Sequence, residues 1–112
     1  MAYKREGGAH GDKDFHVVIG QRVNHVMRTM VVEFEDPQCA DVCSSTFLQQ
    51  ISDARQAFIE NVGQPTSSFK TPLQKIVIEV VGIGFFDRLH GQRGMAPNGI
   101  EIHPVLSMRV VP

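Results

Sequence analysis

Residues 46–62, TFLQQISDARQAFIENV, change the rhythm of the chain: Phe47, Ile51, Ala54, Phe58 and Val62 recur at spacings of four, three, four and four. Those spacings draw one apolar stripe along a helix of about four to five turns. Thr46 and Gln49 have the types and separation of a capping box, while Gly63 and Pro65 supply the stop. The flanking sequence on both sides reads as β, so this helix is an insert midway through a strand-rich chain.

Upstream, Phe15, Val17 and Ile19 alternate with Asp14, His16 and Val18, the period-two pattern of a strand with one buried face. Gly20 is expected to end it, and residues 21–27 to form a connection containing Asn24. A second strand, Thr29 to Glu35, puts Met30, Val32 and Phe34 on one side and Glu33 and Glu35 on the other, before Asp36 and Pro37 close it. The two strands are expected to form an antiparallel pair. Downstream of the polar connection Gly63 to Pro72, the run from Ile76 to Val81 is apolar on both faces, which predicts a central strand. A loop from Gly82 to Gly99 follows, with Asn98 and Gly99 suited to a tight turn of positive φ. The last strand starts at Ile100. Ile102, Leu106, Met108 and Val110 share one parity and Glu101, His103, Ser107 and Arg109 the other, with Pro104 marking an edge, a bulge or a bend.

The order strand, strand, helix, strand, strand predicts an α+β, mainly β domain over residues 1–112: an OB-like small antiparallel barrel or a curled sheet. Its first strand is short or missing, because only Ala2 to Glu6 precede a pair of glycines. Such a sheet leaves an edge that association would shield, so a homodimer or higher homo-oligomer is expected.

Bulk composition narrows the function classes. With 112 residues, 42% hydrophobic and 21% charged, the chain has the balance of one globular domain. A net charge of −1 with no basic stripe argues against nucleic acid as a partner. No apolar run approaches the ~20 residues of a membrane-spanning helix. The charged, glycine-containing start MAYKREGGAHGDKD is not a signal peptide, so a cytoplasmic location is expected for the chain as given. Cys39 and Cys43 are too few for a four-thiolate zinc site and read as free thiols, with a small local disulfide or a reactive Cys39 as alternatives.

The blocks KRE, DFHVVI, TMVVEFEDPQC, the AR-x-AF helix and GFF-D-x-LHGQ-x-G-x-APNGIEIHPVLS, spanning Lys4 to Ser107, resemble a family of small bacterial proteins with no established activity. In those relatives a further strand, and often an export signal, precedes the KRE block. The resemblance implies a shared fold unit and carries no function with it.

Two groups of residues have the types that chemistry requires. Asp14 with His16, and Glu101 with His103, each put a carboxylate and an imidazole two residues apart, on one face of a strand. If the two strands adjoin, these four are candidate ligands of a divalent metal, and His16, Glu101 and His103, together with His90, are candidate acids or bases. Without that convergence they are the solvent-side residues of a half-exposed sheet. The loop adds Asp87, Arg88, His90, Gln92 and Arg93 as candidate ligand-binding residues, with an arginine gripping an anion; its alternative is an Ω-loop whose Phe85, Phe86 and Leu89 tuck into the core. Neither a dinucleotide fingerprint nor a nucleophile elbow is present. Two functions are therefore expected to compete: a binding or protein-interaction module without chemistry, or a metal-assisted hydrolase, acting for example on a phosphodiester.

Overall fold

The computed structural model describes residues 1–6, 13–38 and 45–112. The expected behaviour of Cys39 and Cys43 lies outside them. Five strands, β1 (Ala2–Arg5), β2 (Phe15–Val23), β3 (Val26–Phe34), β4 (Val77–Phe86) and β5 (Ile100–Val111), form one sheet in the order β1-β2-β3-β5-β4. Helix α1 (Leu48–Asn61) lies between β3 and β4 in sequence. The domain is α+β and mainly β. Of the two forms expected, it takes the open curled sheet: β1 and β4 end the strand order without meeting. The β1–β2, β2–β3 and β4–β5 pairs are antiparallel, but β3 and β5 run parallel, because α1 and β4 intervene and carry the chain back before β5 is laid down.

Several local expectations are corrected. Gly20 does not end β2, which runs on to Val23 and turns through Asn24 and His25, at φ of 50° and 66°, straight into β3. That is the two-residue hairpin turn whose twist matches the strands. The run from Ile76 to Val81 is not central: it opens an edge strand that pairs with β5 alone. Its second apolar face is exposed rather than covered. The Thr46–Gln49 capping box does not form, since the helix starts one residue later, at an N-cap of Phe47, and Gln49 donates to Asp53 Oδ1 at 2.8 Å. Gly82 does not begin the loop; β4 continues to Phe86, and the register slips between Val81 and Gly84 opposite Pro104, where a bulge was expected. The slip carries Val105 into the core in place of Leu106.

Phe58 is the anchor. The stripe on α1 buries Ile51, Ala54 and Phe58, and the Phe58 ring meets Tyr3 at 5.3 Å, Phe15 at 6.0 Å and Phe34 at 5.0 Å between centroids. Arg55, one turn earlier, stacks its guanidinium 3.7 Å from the Phe15 ring centroid and donates to the carbonyls of Phe34 and Lys13. Tyr3, Phe15, Val17, Val32, Phe34 and Val105 complete this face. No helix among the described residues is long and apolar enough to cross a membrane.

Burying one face on α1 sends the alternate residues of β1, β2 and β3 to the other. There the loop from Asp87 to Gly99 folds back over the sheet, closed by a bond from the Asp87 N–H to the Gly99 carbonyl at 2.9 Å. Gly99 makes the expected turn with φ of 76°. Gly94, at φ of 82°, lies so close to Val18 of β2 that any β-carbon would collide with it. The loop is thereby pinned to the polar side of the sheet.

Candidate functional site

The antiparallel registers pair Lys4 with His16 and His16 with Glu33, so the three stand in one row across β1, β2 and β3. In the parallel pair Val31 faces Glu101 and Val32 faces Ile102, which brings His103 of β5 alongside Glu33. Strand alternation then adds Glu6 beside Lys4, Asp14 beside His16 and Glu35 beside Glu33. These are not wet positions on an open sheet: Asp14, His16, Glu33 and Glu101 are each 7% exposed or less.

His16 is tied to a backbone carbonyl by one nitrogen and faces carboxylates with the other, whereas His103 faces carboxylates with both. His16 Nε2–H donates to the Arg93 carbonyl at 3.1 Å. Its Nδ1 lies 3.0 Å from Glu33 Oε1 and 3.1 Å from Glu6 Oε1. His103 presents Nδ1 to Glu101 Oε1 at 3.2 Å, and Nε2 to Glu35 Oε1 at 3.2 Å and Asp14 Oδ2 at 3.6 Å. The carboxylate–imidazole pairs are thus regrouped relative to the sequence expectation. Glu101 and His103 do meet, but the carboxylates that hold His16 are Glu6 and Glu33, while Asp14 crosses to His103 and accepts the Asp36 N–H at 3.0 Å.

The electrostatics follow from that enclosure. Burial lowers the affinity of His16 for its second proton, yet the hydrogen bonds to Glu33, Glu6 and the Arg93 carbonyl outweigh it and raise the pKa to about 10. Burial likewise opposes His103, but Asp14, Glu33, Glu35 and Glu101 bring it up to about 9. Burial pushes Glu33 up to about 7 against the pull of His16, and the hydrogen bond from His16 holds Glu6 below the usual range. His16 Nδ1–H is therefore the donor at these contacts, with Glu6, held ionised, and Glu33 as acceptors.

His16, His103, Glu6, Glu33 and Glu101 line a cleft of about 310 Å³ with Phe85, Asp87, His90 and Gln92 of β4 and the loop. His90 Nε2–H and Gln92 Nε2–H both donate to Asp87 Oδ2, at 3.2 and 3.4 Å, and Asp87 Oδ1 takes the Arg88 N–H at 2.9 Å. The loop's polar groups thus brace one another at the cleft rim. Among the described residues Arg93 grips no carboxylate; its guanidinium carbon lies 4.5 Å from the Phe69 ring centroid. Phe85, Phe86 and Leu89 are 46%, 67% and 57% exposed, so the loop does not tuck them into the core as expected.

Among the described residues, Glu6, His16 and Glu33 form the group whose ligand atoms all lie within 4.8 Å of one another. Sequence reasoning missed Glu6, Glu33, Glu35, Lys4 and Phe69. The parity of VVEFE already put Glu33 and Glu35 on the face opposite Phe34; the register joining it to His16 was the missing step. Comparison with protein-family models, with curated proteins and with solved structures finds no match.

Proposed function

We propose that this chain is a divalent-cation-binding β-domain whose cleft supports metal-assisted hydrolysis, with Glu6, His16 and Glu33 as the protein ligands. One observation carries the reading. His16 donates from Nε2 to a backbone carbonyl, which fixes the ring and leaves Nδ1 aimed at two carboxylate oxygens about 3 Å away. That is how metal-ligating histidines are oriented, by an acceptor on the far nitrogen. His16 Nδ1 lies 3.0 and 3.1 Å from the two carboxylate oxygens, and all three atoms lie within 4.8 Å of one another, close enough for one ion to be held by all of them. One nitrogen and two oxygen donors would suit Mn²⁺ or a similar ion better than structural zinc.

A cation there supplies a water of lowered pKa and shields developing charge. The chain's own contribution is His103, protonated at neutral pH in the same cleft. In hydrolysis the attacking water gives one proton to a cleft carboxylate and bonds the electrophilic atom. The bond to the leaving oxygen breaks, and that oxygen takes the proton of His103. Isothermal titration with Mn²⁺ tests the site. One equivalent should bind the intact chain, with affinity reduced at least about tenfold in Glu33→Gln and abolished in His16→Ala. Equal binding by all three proteins would refute it.

The strand order β1-β2-β3-β5-β4, with the helix between β3 and β4, supports an OB-like description opened between its first and fourth strands. A second reading, an interaction module that self-associates, is favoured by β4. This ten-residue edge strand contains no proline or lysine, and its only charge, Glu79, is neutralised by a two-bond fork from Arg109. By contrast the β1 edge is covered, since Tyr3 exchanges backbone bonds with Lys70, both at 2.9 Å. We infer a homodimer joined along β4.

A further inference from the structure

Two basic side chains stand beside the proposed cation site, next to His16. Lys4 is the cross-strand partner of His16, and Glu6, two residues on and just past the end of β1, follows it on the same side. Arg93 follows from the loop: its carbonyl receives the His16 Nε2–H, so its side chain leaves the backbone within one residue of the cluster. Both cations rest against the same aromatic ring. The Lys4 ammonium lies 5.0 Å and the Arg93 guanidinium carbon 4.5 Å from the centroid of Phe69. That ring meets His16 edge-on at 5.8 Å.

We infer that the cation-loaded cleft takes a phosphate ester, held by Lys4 and Arg93. The inference rests on the cation site proposed above and names its substrate class. Cation–π contacts at partly exposed positions hold a side chain only weakly. A charge-assisted bond to a phosphate oxygen is stronger, and Arg can give two in parallel. Both cations are therefore poised to exchange the ring for an anion. A phosphate has oxygens to spare for one ion, one ammonium and one guanidinium together. The order of binding also follows. Glu6, Glu33, Asp87 and Glu101 line the cleft, and Asp14 and Glu35 lie on His103; these six carboxylates outnumber the two imidazolium charges of His16 and His103, so an anion is repelled until a divalent ion offsets them. The ester should enter after the cation, and by linkage each should tighten the other's binding by the same factor.

Mn²⁺ titration of the full chain with and without phenyl phosphate tests this, with folding of each variant checked by circular dichroism. In the parent protein the ester should tighten Mn²⁺ binding about tenfold or more. Lys4→Ala and Arg93→Ala should each keep their affinity for Mn²⁺ alone within about twofold and lose most of that coupling. Phenyl phosphate alone should not bind the cation-free chain. Mn²⁺ binding with no coupling, or coupling unchanged in both variants, would overturn the phosphate inference and leave the cation site standing. Absence of Mn²⁺ binding would overturn both.

Discussion

His16 and His103 carry protons that solvent-exposed imidazoles would have lost by neutral pH, and this has consequences of definite sign. Their folded pKa values, about 10 and about 9, lie above the ~6.5 of an unfolded histidine. The native state therefore binds protons more tightly than the unfolded chain. Their stabilisation is complete below about pH 6.5 and is lost as pH rises through 9 and then 10. In EDTA the urea midpoint should fall from pH 7 to pH 10; a rising midpoint would contradict the enclosure of these rings. A cation on His16 must displace its Nδ1 proton, so affinity for Mn²⁺ should climb up to about tenfold per pH unit between 7 and 9. Titrations at three pH values read that slope, and a flat profile would exclude Nδ1 as a ligand. At this scale the sequence was half legible. Asp14, His16, Glu101 and His103 stand out as acid and imidazole at strand spacing, and all four are drawn into the buried polar face. Their grouping was hidden, because it depends on which strands adjoin and in what register, and Glu6 enters only through the pairing of β1 with β2.

Among the elements, α1 was legible because its period is strong, and its buried residues Ile51, Ala54 and Phe58 fall on the expected stripe. Its start was not, since Phe47 rather than a side-chain cap begins it. Phe58→Ala should cost about 3–5 kcal/mol, removing the ring that joins Tyr3, Phe15 and Phe34. Equilibrium urea unfolding measures this, and a loss under about 1 kcal/mol would mean that α1 is not the element covering this face. For β4 the apolar run misled: two greasy faces look central, yet the strand lies at the edge with Val77, Val81 and Ile83 exposed at 48%, 56% and 42%. Periodicity reports how apolar a face is and is silent on what covers it. The parallel step from β3 to β5 was equally hidden, because nothing local records the direction of a partner 70 residues away.

For the whole molecule, the open sheet presents, among the described residues, one covered edge and one bare edge. The bare edge carries backbone donors and acceptors beside apolar side chains, the combination that recruits another strand. Sedimentation of the intact chain should show a concentration-dependent dimer in the micromolar range. Val81→Lys, on the exposed face of β4, should shift it to monomer without loss of fold; a monomer at all concentrations would remove the self-association reading. The cleft and the bare edge adjoin at Phe85, which is exposed on β4 and meets the His103 ring at 5.6 Å. The proposed association edge and the proposed cation site are thus neighbours, although the proposed ligands come from β2, from β3 and from Glu6 just after β1. The most direct measurement of the central claim is anomalous diffraction from crystals soaked in Mn²⁺. One strong peak is expected about 2.2 Å from His16 Nδ1 and from the Glu6 and Glu33 carboxylates. A peak elsewhere, or no peak with the three side chains as close as they are here, would contradict it.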